Sequence, residues 1–290
     1  MTVAVITGSN SGFGLHGALA FARHGAVVYA SMRDTSRGTE LRRIASEESL
    51  DIRIRTLDVT KPASFASFID EVVAEAGRID VLVNNAGVLK PGALEDLSEA
   101  TLRLVLETNL VAPLLLSKAV LPQMRKQQDG CIIMISSLSG LAGLPGDVAY
   151  TASKFGLEGA TEALRHEVDR WGIKLALIEP GMYATGMFNT SKGGLLPDGY
   201  PADSPYRAFV EQRLRALQER LPEANDPAPV GALMVEIAQS DSKQFRWPAD
   251  PLAEKVLATM LAQDDASRDA FLRDVGASDW WSNGEDAPSH

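Results

Sequence analysis

The chain has a single cysteine, Cys131, in 290 residues, so no intrachain disulfide can form. Its apolar setting, CIIMI, suits a small buried side chain and is compatible with a reducing compartment. Cations are scarce as well: 28 Lys and Arg stand against 38 Asp and Glu, a net charge of −10, and no basic run exceeds a pair such as Arg42-Arg43. The stripe of positive charge that neutralises nucleic-acid phosphates is therefore missing, and nucleic-acid binding is not expected. There is no run of eighteen apolar residues, and the start, MTVAVITG, enters a strand without the basic segment and long apolar core of a secretion signal. A cytoplasmic protein with no membrane span is the expectation.

With 45% hydrophobic residues, the chain is long enough to bury one full core, which fits one large α/β domain better than two small ones. The domain is placed at residues 1–275, with a polar tail at 276–290 that carries Trp280-Trp281 and is expected to fray.

The chemistry concentrates in Ser136 to Lys154, SSLSGLAGLPGDVAYTASK. Tyr150 and Lys154 stand four apart, on one face of a helix, and Ser137 lies thirteen residues upstream. An ammonium close to a phenol favours the phenolate, so the pair can serve as general acid or base, with the Tyr150 pKa expected to fall. Ser137 would orient a carbonyl. A tyrosine and a lysine at this spacing also arise on ordinary surface helices, but a second, unrelated signal lies at the N-terminus.

Val3 to Thr7 is a short apolar run of the kind a buried parallel strand shows, and TGSNSGFG follows it. Glycines at 8, 12 and 14 let backbone approach a phosphate, at the positive end of a helix spanning about Gly12 to His24. A second strand, Ala26 to Ser31, completes a βαβ unit, and its end bears on cofactor choice. Arg33, with Ser11 in the glycine turn, would hold the 2′-phosphate of NADP(H), the preferred cofactor; Asp34, twenty residues after Gly14, keeps NAD(H) possible. Further strands are read at Asp51 to Leu57, Ile79 to Val83, Cys131 to Ser136, Ile173 to Ile178 and Gln244 to Trp247. Helices are read over Pro62 to Ala76, Ser98 to about Arg125, Tyr150 to Trp171, a polar stretch ending near Leu221, Val230 to Ala238 and Pro251 to Ala262.

Asn84-Asn85-Ala86-Gly87 is either a wall kept open for a flat ring or only a turn. Pro113 interrupts the helix from Ser98 to about Arg125 and leaves the carbonyl of Asn109 without its helical donor, a candidate site for a water leading toward Lys154. Small residues on the Tyr150 helix (Ala152, Gly156, Gly159, Ala160, Ala163) mark either a symmetric subunit contact, giving a homodimer or homotetramer, or close packing within one chain. Residues 182–225, rich in Met, Tyr and Phe among glycines and prolines, suit a lid over an apolar substrate.

Taken in order, the strand, TG-x-x-x-G-x-G, NNAG, a mid-helix Asn, Ser, Y-x-x-x-K and PG-x-x-x-T resemble the short-chain dehydrogenase/reductase superfamily over about residues 3–190. VYASMRD and SKFGLEGATEALRHEV resemble its 17β-hydroxysteroid and retinol dehydrogenase branch. The resemblance implies a Rossmann-like, doubly wound, mostly parallel seven-stranded sheet with helices on both faces. It also implies a catalytic tetrad of Asn109, Ser137, Tyr150 and Lys154 with no metal: Tyr150 passes the proton, Lys154 lowers its pKa and holds the nicotinamide ribose, Ser137 fixes the substrate oxygen and Asn109 anchors a relay water. Gly8, Ser11, Gly12, Phe13, Gly14, Arg33, Asp58, Val59, Asn84, Ala86, Gly87, Pro180, Gly181 and Thr185 fall on cofactor positions, together with Tyr150 and Lys154. Phe13 departs from the isoleucine usual there. Ser137, Tyr150, Tyr183 and Met187 are the expected substrate contacts.

The implied reaction is hydride transfer between a nicotinamide and a small-molecule carbonyl or secondary alcohol. Two alternatives stand beside it. One is reduction of a 3-oxoacyl thioester, which the lid cations Lys192, Arg207, Arg213 and Arg215 leave open. The other is a cofactor-sensing protein without turnover.

Overall fold

The computed structural model describes residues 1–143, 146–188 and 200–260. Seven strands form one sheet in the order β3-β2-β1-β4-β5-β6-β7. They are β1 (Val3–Thr7), β2 (Val27–Met32), β3 (Ile52–Thr56), β4 (Val81–Asn84), β5 (Gly130–Ile135), β6 (Ile173–Glu179) and β7 (Arg246–Pro248). Every pairing is parallel, so each strand needs a crossover to reach the next, and helices come to lie on both faces.

The helices are α1 (Gly12–Arg23), α2 (Thr39–Glu47), α3 (Phe65–Ala76), α4 (Glu99–Leu106), α5 (Ala112–Gln127), α6 (Val148–Val168), α7 (Arg207–Arg220), α8 (Ala228–Gln239) and α9 (Pro251–Met260). Alternation along β1 divides the core: Ala4 and Ile6 pack toward α1 and α8, Val3 and Val5 toward α3 and α5. Burial on both faces is why the strands read as continuous apolar runs instead of alternating ones. Helices α1 and α8 meet closely because Gly231 lacks a side chain; a Cβ there would lie 2.6 Å from the His16 carbonyl.

The helix expected from Ser98 to Arg125 is divided. The Ser98 hydroxyl caps α4 by accepting from the Thr101 amide at 3.1 Å, and residues Glu107–Val111 then form a π turn in which the Ala112 amide bonds the Glu107 carbonyl. Pro113 falls in the first turn of α5, where a missing N–H is tolerated. The run Glu99–Gln127 is apolar and long enough to cross a bilayer by composition, but here it packs Leu116, Val120 and Met124 into the core. Because the chain turns from β1 toward β2 on one side and β4 on the other, a crevice opens at the carboxyl ends of the central strands.

Candidate active site

That crevice is a cleft of about 940 Å³. Its floor at the β1 end is made by backbone. Gly8 and Gly12 take φ of +69° and +54°, values that side chains disfavour, and a Cβ on Gly8 would stand 3.0 Å from Ala86 Cα. Gly14 does not line the cleft: a Cβ there would collide with the Gly8 carbonyl and Asn85 Nδ2, both at 2.5 Å, so its role is to let α1 approach the turn. Ser11 begins α1 in extended conformation without a side-chain cap, leaving the first amides of the helix for an anion.

The β4 end is locked to this turn. Thr7 Oγ1 accepts from the Asn85 and Ala86 amides, each at 3.0 Å, and Asn85 Nδ2 donates to the Thr7 carbonyl at 2.7 Å and the Gly8 carbonyl at 3.2 Å. Asn84, expected among the cofactor residues, points elsewhere: it is buried and donates to Ser117 Oγ at 3.1 Å. Strand alternation sends Asn84 to the helix face, and Asn85, which sequence reasoning passed over, lines the cleft instead.

Beyond β2, the wall carries Arg33, Asp34, Arg37, Asp58 and Val59. Asp34 Oδ1 accepts from the Ser36 amide and hydroxyl at 2.9 and 2.7 Å, bonds that hold its pKa below the ordinary carboxylate value. Burial pushes the Asp58 pKa up, yet bonds from the Thr60 hydroxyl (2.8 Å) and amide (3.1 Å) leave it lowered on balance. Arg33 is exposed and makes no hydrogen bond among the described residues.

At the far end, β5 delivers Ser137 and α6 delivers Tyr150 and Lys154, all three on the cleft wall. Tyr150 is 8% exposed and Lys154 4%. The Lys154 ammonium lies 5.7 Å from the Tyr150 ring centroid and donates to the Ile135 carbonyl at 2.6 Å. The expected lowering of the Tyr150 pKa is not present in the chain alone. Burial pushes it up to about 12, with the Ser137 hydroxyl acting downward and the Asp147 charge adding to the rise. Burial likewise takes Lys154 down to about 8, opposed by the charge of Glu158. The two groups are thus held as a neutral phenol and an ammonium that is easily discharged.

Asn109 is buried behind this set instead of on the wall. Its Oδ1 accepts from the Val88 amide at 2.8 Å, while Nδ2 donates to the Val88 carbonyl at 2.9 Å and Ser153 Oγ at 3.2 Å. The side chain therefore pins the segment after β4 to α6.

After β6, Pro180, Gly181 and Thr185 close the cleft. The Gly181 amide donates to Asp250 at 2.8 Å, and the same carboxylate accepts from the Ala253 amide of α9 at 3.0 Å. Met187 Sδ lies 4.0 Å from the Tyr150 hydroxyl, where a substrate would have to enter. Tyr183 lines the cleft, but its hydroxyl is taken by the Ala249 carbonyl at 2.7 Å and its ring stands edge-on to Phe13 at 5.0 Å, so it also braces the glycine turn.

Of the lid, residues 189–199, Lys192 among them, fall outside the described residues. The part from 200 onward is latched by Asp96, which accepts from Tyr200 Oη at 2.5 Å and Ser204 Oγ at 2.7 Å, and α7 brings Leu214, Leu217 and Arg220 to the cleft. Arg207 and Arg215 both turn to Glu211, at 3.0 and 3.9 Å, which leaves these cations engaged within the helix.

The short chain dehydrogenase family profile matches residues 2–194 of this chain. The chain is a short-chain dehydrogenase/reductase. Among its relatives is a 3-ketodihydrosphingosine reductase of Bacteroides thetaiotaomicron, 34% identical over 88% of this chain and 90% of that protein. The mouse 17-beta-hydroxysteroid dehydrogenase type 1 is 33% identical over 85% and 73%, which bears out the branch suggested by VYASMRD. A metagenomic short-chain oxidoreductase in complex with NADP superposes with a TM-score of 0.67 at 27% identity, covering 85% of this chain and 94% of that one. An enzyme of the family from Burkholderia phymatum in complex with NAD superposes with a TM-score of 0.77 at 25% identity, covering 94% and 95%. The short-chain enzyme described here is thus an NAD(P)-dependent oxidoreductase. Its sheet supplies the seven parallel strands that the resemblance implied.

Proposed function

We propose that this enzyme uses NADP(H) to interconvert a ketone and a secondary alcohol on an apolar substrate, with Tyr150 as general acid and base. The observation that carries the reading is a neutral phenol, buried beside the Ser137 hydroxyl and the Lys154 ammonium, at the floor of a cleft walled by Leu89, Leu104, Leu138, Met187, Leu214 and Leu217. Bound in the cleft, the dinucleotide supplies or accepts a hydride at its nicotinamide. Ser137 Oγ donates to the substrate oxygen and positions it, and Tyr150 Oη delivers the proton that balances the incoming hydride. With the Tyr150 pKa near 12, the phenol is fully protonated at neutral pH and ready for the reductive direction. Alcohol oxidation needs the phenolate, which burial disfavours in the chain alone and which a positive charge brought close to the phenol in the loaded enzyme would favour.

The residues fit a dinucleotide: positive φ at Gly8 and Gly12, an uncapped α1 terminus and a basic residue at the β2 end. Arg33 and Ser11 support NADP(H), because Asp34 already spends Oδ1 on Ser36. The 3-ketodihydrosphingosine named in the Bacteroides relative and the hydroxysteroid named in the mouse relative support a large apolar substrate. The Asn109 carbonyl, inside a π turn, remains our candidate anchor for a relay water. We also assign a cytoplasmic location and a symmetric dimer or tetramer through α6, where Ala152, Phe155, Gly159 and Ala163 form an exposed stripe.

The test is cofactor oxidation across a panel of 3-oxoacyl thioesters, steroid ketones and long-chain ketones, with NADPH and NADH in parallel. Turnover of apolar ketones, faster with NADPH, is expected. Tight cofactor binding without turnover of any carbonyl would replace this reading with the sensor, and exclusive use of acyl thioesters would replace it with the thioester reductase.

A further inference from the structure

Behind the reacting groups lies a charged cluster that the tetrad does not use. Glu158 is one helical turn beyond Lys154 on α6 and is 4% exposed. Its Oε1 accepts from Ser136 Oγ at 2.5 Å, and its Oε2 accepts from Arg246 Nε at 3.1 Å. Arg246, on β7 and outside the segment matched by the family profile, also bonds Glu162 at 2.7 Å and lies 3.9 Å from Glu179 on β6. The site is closely built: a Cβ on Gly140, in the turn after β5, would come within 2.7 Å of Ser136 Oγ and 2.9 Å of Glu158 Cγ.

The end of β5 is thus gripped at successive residues by one helix. Lys154 holds the Ile135 carbonyl, Glu158 holds the Ser136 hydroxyl, and Ser137 stands beside Tyr150. Burial pushes the pKa of the Glu158 carboxyl up, and the Ser136 hydroxyl and the Arg246 guanidinium act against that rise, with Arg246 as the charge that pairs it. The charge of Glu158 also reaches Lys154. The charged and titratable groups facing the cluster are Lys154, Tyr150, Asp147 and Glu162 from α6 and its first turn, Glu179 from β6 and Arg246 from β7.

We propose that Glu158 is a positioning residue for the reaction: seated by Ser136 and Arg246 and one helical turn from Lys154 on the same face of α6, it sets the β5 end against that helix and places its carboxyl group next to the lysine. The inference rests on the ketone–alcohol reading given above, and two measurements on Glu158→Gln separate the two. Glutamine keeps the shape and the acceptor for Ser136 and removes the charge, and Arg246 retains Glu162 and Glu179.

First, the cofactor-free chain, labelled with 13C-lysine and assigned by Lys154→Arg, is titrated by NMR. The Lys154 midpoint, near 8 in the wild type, is expected to fall by about half to one pH unit in Glu158→Gln. Glu158→Asp, which keeps the charge, should restore most of it. Second, the alkaline limb of kcat/KM for ketone reduction should move down with the midpoint. A midpoint unmoved by Glu158→Gln, or moved equally by Glu158→Asp, overturns the proposal and leaves Glu158 as packing. A uniform loss of kcat with an unshifted pH profile overturns it as well. If the NMR midpoint shifts but the wild type turns over no carbonyl, it is the functional reading that fails.

Discussion

Removing the amine we assign to turnover should make the protein more stable. Lys154 is buried, and its pKa falls from 10.5 to about 8, so the unfolded chain binds the lysine proton more tightly than the folded one. Below pH 8 both states carry the proton and the folded state bears the full penalty. Between about pH 8 and 10.5 the folded state has released it and the unfolded state has not, so stability rises with pH across that window. At about 1.4 kcal/mol per pH unit, the penalty at pH 7 is about 3 kcal/mol. Lys154→Met removes it and gives up the charge-assisted bond to the buried Ile135 carbonyl, which is worth about 2 kcal/mol. Net stabilisation of the cofactor-free enzyme at pH 7 should be about 1 kcal/mol, with turnover abolished. Guanidinium unfolding of both proteins at pH 7.0 and 9.5 checks this, and the advantage should shrink at the higher pH as the wild type sheds its penalty. Tyr150 works in the opposite sense higher up: its pKa rises from 10.0 to about 12 on folding, so stability is lost across that interval in both proteins. A variant less stable than wild type at pH 7, or an advantage independent of pH, would refute the claim that burial governs Lys154.

Three other outcomes are expected. Tyr150→Phe should abolish ketone reduction while dinucleotide binding, followed by fluorescence quenching, stays within a few-fold of wild type. Arg33→Ala should weaken NADPH by about tenfold or more and NADH hardly at all, the loss of one charge-assisted contact to a phosphate; an unchanged ratio of the two dissociation constants would count against the phosphate assignment. Asn109→Leu removes both bonds to the Val88 backbone and should cost about 2–5 kcal/mol, read by chemical unfolding, together with most of kcat because the segment after β4 loses its tie to α6.

The architecture was legible because its strands are buried on both faces and its turns are punctuated by glycine. β1, β5 and β6 appear in the sequence as VAVIT, GCIIMI and IKLALIE, and parallel strands with helical crossovers follow from such runs. Helix α2 was not read. TELRRIASE fully buries only Leu41, and its remaining positions carry charges that solvent accepts in a loop as readily as in a helix. The π turn escaped too. Pro113 announces a break in the backbone bonding, but whether the chain answers with a kink, a gap or a five-residue turn depends on what packs against it. Here Leu110 of that turn packs onto Gly156, whose Cβ would stand 2.8 Å from it.

At the site, residue identity was legible and electrostatic direction was not. Spacing alone puts Tyr150 and Lys154 on one helical face, which by itself predicts a lowered phenol pKa. The folded chain reverses the sign, because the dominant contribution at both groups is loss of water, and that loss comes from residues far apart in sequence. Met187 and the buried wall around it press on Tyr150 from the lid side, while the ammonium turns to the Ile135 carbonyl. The surroundings of Asn84 and Tyr183 were hidden for a related reason: which of two adjacent asparagines faces the cleft, and whether a tyrosine hydroxyl is already taken by Ala249, are set by strand alternation and by a contact 66 residues away. A motif states which chemical groups a cleft contains. The charge each group carries there is decided by the rest of the chain that keeps water out, and Glu158 and Arg246 belong to that part.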